Sequence, residues 1–218
     1  MKHRPISVRH AFAFAWPVFK KRFGLFTAVL LTILAAWVVL EIVVIAGQRF
    51  GIVLWTVMHL AFLIFFAGVE LGLLQICMAL AEGKEPTFAD LFAHLRLSPR
   101  FLAAQLLYLL MVVIGLCILI VPGVILGARC ALFGFCFAGG EKDLLRCFQQ
   151  SALLTKGATT GLVWILLALL ALNLVGASLL ALGLFVSVPV SLLVMTDVYR
   201  QLTTSPPSNS SGLPQHSL

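Results

Sequence analysis

Apolar runs long enough to cross a bilayer recur six times in this chain, and no other feature restricts its fold as strongly. A helical span needs about 20 apolar residues, at about 1.5 Å of rise each, to cross about 30 Å of hydrocarbon. Residues 23–47, 51–81, 100–121, 123–140, 159–182 and 184–202 supply such runs. The second must tilt or reach past the bilayer. The third ends at Pro122-Gly123, and the fourth is shorter and Gly-rich. Pro189 removes a backbone donor from the sixth and should kink or start it. Of the 218 residues, 61% are hydrophobic and 11% charged, against about 25% charged in ordinary soluble domains. A compact soluble fold of this size could not hide that much apolar surface. The expected fold is therefore all-α: a polytopic membrane helical bundle of about six transmembrane helices in a single domain, 1–202. The Ser/Pro-rich tail 203–218 should be disordered.

Three short amphipathic helices are expected between the spans. In 6–22, Val8, Phe12, Trp16, Phe19 and Phe23 form an apolar stripe beside Arg9, Lys20, Lys21 and Arg22, and Pro17 should bend the helix. In 87–96, Thr87 and Asp90 have capping-box spacing, and Phe88, Leu91, Phe92 and Leu95 recur on one helical face. In 141–156, Leu145, Phe148 and Ala152 line one face, and Lys156-Gly157 is a stop signal. The order is amphipathic helix then hairpin, three times, as 6–81, 87–140 and 141–202. The repeat is one of hydropathy pattern only.

Charge sets the expected threading. Lys2, Arg4, Arg9, Lys20, Lys21, Arg22, Lys84, Arg96, Arg100, Lys142, Arg146, Lys156 and Arg200 fall on one side of the six spans, and Arg49 on the other. The positive-inside rule then puts both termini in the cytoplasm, which an even number of spans also requires. The net charge of +7 is explained by this threading and by attraction to anionic lipid, so membrane lipids are the expected partners and nucleic acid is not. The five cysteines include no C-x-x-C pair and read as small packing residues, with no disulfide or metal site.

Ionisable groups inside a span are functional hypotheses by default. Glu70 and Arg129 each lie about 18 Å from the cytoplasmic end of their spans, so equal depth permits a buried pair, either a polar site or a lock between two helices. His59 lies eleven residues from Glu70, on nearly the same helix face. It reads as part of a proton relay or polar cavity, or more simply as a packing histidine. Asn173 is expected to act as interhelical glue, Glu41 to pair with Arg49, and Asp197, Tyr199 and Arg200 to form an interfacial anchor. Small residues at Gly68 and Gly72, and at Gly123, Gly127 and Ala131, mark helix-packing faces through which spans two and four should meet.

Motifs for phosphate loops, zinc peptidases and serine hydrolases are absent, so no enzyme activity and no cofactor are expected. The Pro122-Gly123 pair, Leu126 and Arg129, followed by Ser151, Leu154, Lys156 and Gly157 in an S-x-x-L-x-K-G stop, resemble the YciC-type inner-membrane proteins of bacteria. They also resemble the membrane domain attached to some glycerophosphodiester phosphodiesterases. This chain differs in having Ala152 after the serine, where an aromatic is frequent, and Cys147 where alanine is usual. The resemblance implies a helical bundle in the bacterial inner membrane. Since these residues include no phosphodiesterase domain, it does not imply that activity. Two functions are weighed: a non-enzymatic protein of lipid or envelope homeostasis that handles a lipid or small hydrophobic solute, and a structural or accessory subunit, docking a membrane-protein partner or a second copy. An intramembrane enzyme is the least favoured reading.

Overall fold

A computed structural model of the chain describes residues 8–47, 51–178 and 183–204. Among these residues the regular structure is helical throughout: α1 (Val8–Lys21), α2 (Phe23–Gly47), α3 (Ile52–Ala81), α4 (Ser98–Ile118), α5 (Ile120–Cys130), α6 (Phe133–Ala138), α7 (Leu144–Leu154), α8 (Thr159–Ser178) and α9 (Leu184–Thr204), with two 3-10 turns at Phe88–Phe92 and Leu95–Leu97. Lys2, Arg4, Arg49 and tail residues 205–218 lie outside the described residues, so the Glu41–Arg49 pairing does too.

Among the described residues, four segments are long and apolar enough to cross a membrane: Phe23–Ile45, Ile52–Ala81, Phe88–Ile118 and Thr159–Ser178. Gly123–Ala138 is a shorter apolar stretch, and it is interrupted between α5 and α6. In α9, Ser187, Ser191, Asp197 and the Tyr199-Arg200-Gln201 end dilute the apolar run, which is why α9 is not among the four. The described residues thus have the build of a multi-pass membrane protein, with four candidate spans where six were read.

Burial is concentrated toward one end of the long helices. On α3, residues from Ala67 to Ala81 contribute to the core, whereas residues 51–58 are exposed. Leu31, Leu34, Trp37, Val39 and Ile42 on α2 are exposed as well. Water would penalise apolar surface on this scale, whereas lipid tails do not. The core joins the Ala67–Ala81 part of α3 to Phe101 of α4, Phe133, Phe135 and Phe137 of α6, and Leu193, Val194 and Val198 of α9.

Several local expectations are corrected. The 87–96 segment is a pair of 3-10 turns instead of an α-helix. Its capping box does form, with the Thr87 N–H donating to Asp90 Oδ2 at 2.7 Å. The connection 82–97 must link α3 to α4 while laying the Leu91 backbone against α3, and a 3-10 turn covers more length per residue than an α-helix. Pro122-Gly123 does not end the third span. Leu119 is extended (φ −159°, ψ 130°) and makes the turn, and Pro122 sits in the first turn of α5, where its missing N–H has no intrahelical partner to lose.

The buried faces of α1 and α7 also differ from the aromatic stripes read in the sequence. On α1, Ala11, Ala15 and Phe19 are buried while Trp16 is exposed, as is Phe23 at the start of α2. On α7, Cys147 and Ser151 are buried while Leu145 is exposed. In lipid, large apolar side chains lose nothing by facing outward, and small ones let helices approach.

Candidate functional site

The Glu70–Arg129 pair is not formed. Glu70 is half-buried on α3 and accepts a 2.6 Å hydrogen bond from Gln105 Nε2 on α4. The Arg129 side chain is exposed, and the two residues share no ion pair. Equal depth fixed their level and left their direction around the helix axis undetermined. His59 turns back onto its own helix: Nδ1 lies 3.0 Å from the Trp55 carbonyl oxygen, and the two rings touch at a tilt of 40° with centroids 4.0 Å apart. Glu70 thus has an amide partner on the neighbouring helix, whereas His59 bonds within its own helix and the Arg129 side chain is exposed.

What Arg129 contributes is its backbone. The α5 helix stops at Cys130 and α6 starts at Phe133, so the carbonyls and N–H groups at the break need partners. The Ser151 hydroxyl of α7 donates to the Arg129 carbonyl at 2.8 Å and accepts from the Leu132 N–H at 3.2 Å. The Thr155 hydroxyl lies 3.2 Å from the same carbonyl. Backbone groups freed at a buried helix break need partners inside the protein, and α7 supplies them here.

The glycine rows are internal, but spans two and four do not meet through them. Gly72 is pressed against the Leu91 carbonyl, so closely that a Cβ there would overlap it, and Gly68 faces Leu95 and Ser98. This α3 face therefore receives the 3-10 segment. Gly123 packs on α4, where a Cβ would lie 2.5 Å from the Leu116 nitrogen, and Gly127 faces Val112 and Tyr108. The Tyr108 hydroxyl donates to the Gly127 carbonyl at 3.1 Å. Ala131 is half-buried at the α5–α6 break. Contact between α3 and the α5–α6 stretch runs through α6, with Gly134 against Leu74.

The interfacial cluster is more deeply set than an anchor. Asp197 is only 5% exposed. Its Oδ2 accepts from Gln201 Nε2 at 2.6 Å and lies 3.1 Å from His10 Nδ1 of α1. Tyr199 stacks on Phe135 with centroids 5.7 Å apart. Arg200 donates to the Ala81 carbonyl and so closes the C-terminal end of α3. Arg22, between α1 and α2, pairs with Glu85 of the α3–α4 connection. Beside that pair, a cavity of about 320 Å³ is lined by Gln75, Lys84, Asp90 and His94 among others, and His94 Nδ1 is buried without a hydrogen-bond partner.

Gln105, His10, Thr155 and Ser191 were not singled out from the sequence, and Ser151 was named there only as part of a motif, without a partner. Ser191 accepts from Asn173 Nδ2 at 3.0 Å, which gives Asn173 the interhelical contact expected of it. An amide within an apolar run was the available signal for Gln105; depth-matching among charges alone passes over it. The five cysteines are free thiols. Burial first, then Glu141 and Asp143, push Cys147 up to about 11. Among the described residues no three His, Cys, Asp or Glu side chains come together to hold a metal ion.

The helices and contacts define a class: an all-helical chain with several helices suited to crossing a membrane and polar bonds between neighbours. The uncharacterised protein Mb2590 of Mycobacterium bovis is 31% identical over 153 residues, covering 67% of this chain and 46% of the relative. The uncharacterised protein Rv2560 of Mycobacterium tuberculosis matches with the same identity and coverage. The chain spans about half the length of the curated relatives it matches. No protein-family model matches the chain. No solved structure matches it.

Proposed function

We propose that the chain is a non-enzymatic, multi-pass protein of the bacterial inner membrane with both termini in the cytoplasm. Its role is to bind and redistribute lipid, or a small hydrophobic solute, in envelope homeostasis. One observation carries this reading. The α1 helix is held on the bundle by Ala11, Ala15, Phe19 and the His10–Asp197 contact, while Trp16, Phe23, Lys20 and Lys21 remain exposed. A fixed helix that presents aromatic rings and ammonium groups outward suits the headgroup–acyl boundary of an anionic leaflet. In this reading α5–α6 and α9 complete six spans, and the basic loops share the cytoplasmic side.

Two further observations support the proposal. The rows Gly68/Gly72 and Gly123/Gly127, natural docking faces for an accessory subunit, are filled by the chain's own segments. Kinship with the YciC-type proteins is supported by the roles of the motif residues: Ser151 satisfies the Arg129 carbonyl, and Gly157 adopts the positive φ of 88° that favours glycine after a helix.

Reconstitution into phosphatidylethanolamine–phosphatidylglycerol vesicles tests the function. The protein should speed redistribution of a fluorescent phospholipid well above protein-free vesicles, and Glu70→Ala should slow it. Rates equal to those of empty vesicles would overturn the reading.

A further inference from the structure

A second cavity, of about 350 Å³, lies where α1 meets α8 and α9. That volume is within the range of about 300–1,000 Å³ common to small-molecule sites. Phe12 and Trp16 form the α1 wall, Val175 and Gly176 the α8 wall, and Val186 and Ser187 the α9 wall. None of its lining residues carries a charge. Gly176 and Ser187 meet closely: a Cβ on the glycine would stand 2.6 Å from the serine Oγ. Ser187 is 3% exposed and its hydroxyl has no hydrogen-bond partner. On the same α8–α9 seam Asn173 Oδ1 is also buried without one. Unmet polar groups beside an apolar cavity call for a polar atom brought in from outside.

Charge identifies what would bring it. Lys20 Nζ lies 5.0 Å from the ring centroid of Trp16, the same ring that walls the cavity. Lys21 follows, and both ammonium groups are exposed. An occupant matched to this site has an apolar chain, a hydrogen-bonding linkage and a negative head. We propose that the cavity between α1, α8 and α9 is a binding site for one acyl chain of an anionic phospholipid, whose headgroup is held by Lys20 and Lys21. The proposal rests on the lipid-handling reading and gives it a location and a lipid class.

Native mass spectrometry of the full chain in mild detergent, titrated with phosphatidylglycerol or phosphatidylcholine of equal chain length, tests it. Wild type should retain one phosphatidylglycerol in preference to phosphatidylcholine. Lys20→Gln/Lys21→Gln alters exposed groups only and should remove most of that preference, by about thirtyfold for two near-surface lysines. Val186→Trp and Val175→Trp fill the cavity and should abolish retention, while Val113→Trp, on the exposed face of α4, should leave it unchanged. Thermal unfolding of each variant separates lost binding from lost fold. Equal retention of the two lipids by wild type, or wild-type retention in both cavity-filling variants, overturns the site. If lipid redistribution in vesicles persists in those variants, the site alone fails; if redistribution is absent from wild type while selective retention holds, the functional reading fails and the site stands.

Discussion

The Ser151 hydroxyl bonds the Arg129 carbonyl at 2.8 Å and the Leu132 N–H at 3.2 Å, so one side chain on α7 serves both sides of the α5–α6 break. It relates two residues that the sequence placed in one motif without a reason for their association. A serine supplies donor and acceptor from a single atom, and its small volume lets α7 lie against the break.

Ser151→Ala removes both bonds and leaves a buried N–H unpaired. The expected loss is about 1–3 kcal/mol, read as a lower unfolding temperature in detergent. Stability equal to wild type would show that the break is satisfied in another way.

The glycines of α2 and α3 should behave oppositely. A Cβ at Gly72 meets backbone at Leu91, which cannot turn aside as a side chain can, whereas a Cβ at Gly24 meets nothing within 4 Å. Gly72→Ala should destabilise the fold severely. Gly24→Ala, inside a helix, should leave stability unchanged or raise it by up to about 1 kcal/mol. Thermal unfolding of the two variants side by side makes the comparison.

Gln105→Leu strips Glu70 of its hydrogen-bond donor and should cost about 1–3 kcal/mol. Adding Glu70→Leu should recover much of that loss, because two apolar groups replace a bonded polar pair. A double-mutant cycle of Glu70→Gln with Arg129→Gln should give a coupling within about 0.5 kcal/mol of zero, since these side chains do not touch.

Cys147 should be the less reactive thiol of its loop. Its pKa of about 11 keeps it protonated at neutral pH, and the thiolate is the nucleophile. Alkylation at pH 7.5 should be much slower than at a cysteine introduced by Lys142→Cys, an exposed position. Raising the pH toward 11 should speed the Cys147 reaction as the ionised fraction grows. Mass spectrometry after timed iodoacetamide treatment provides the readout.

Helix positions were legible because bilayer thickness dictates length and hydropathy marks it: 23–47 and 51–81 correspond to α2 and α3 within a residue. The inward faces were not. Of the stripe Val8, Phe12, Trp16, Phe19 and Phe23, Phe19 is buried and Phe12 packs on the core, but Trp16 and Phe23 are exposed; counting those two as packed applies the logic of water, in which large apolar groups seek the interior. Ala11 and Ala15 pack beside Phe19, as small residues do between helices in lipid. Polar partners were half legible. The levels of Glu70 and Arg129 follow from counting residues, but their azimuths depend on how α3, α4 and α5 rotate against one another. That rotation is set by close approaches such as Gly123 on Leu116, which a one-dimensional pattern does not encode.

The threading of the hairpins is tested most directly by single cysteines in an otherwise cysteine-free chain, probed with a membrane-impermeant maleimide on intact and on permeabilised cells. Lys84→Cys, Lys142→Cys and Thr204→Cys should react only after permeabilisation, while Gly51→Cys and Leu119→Cys should react in intact cells. Labelling of Lys84→Cys and Lys142→Cys from opposite sides of the membrane would contradict the account.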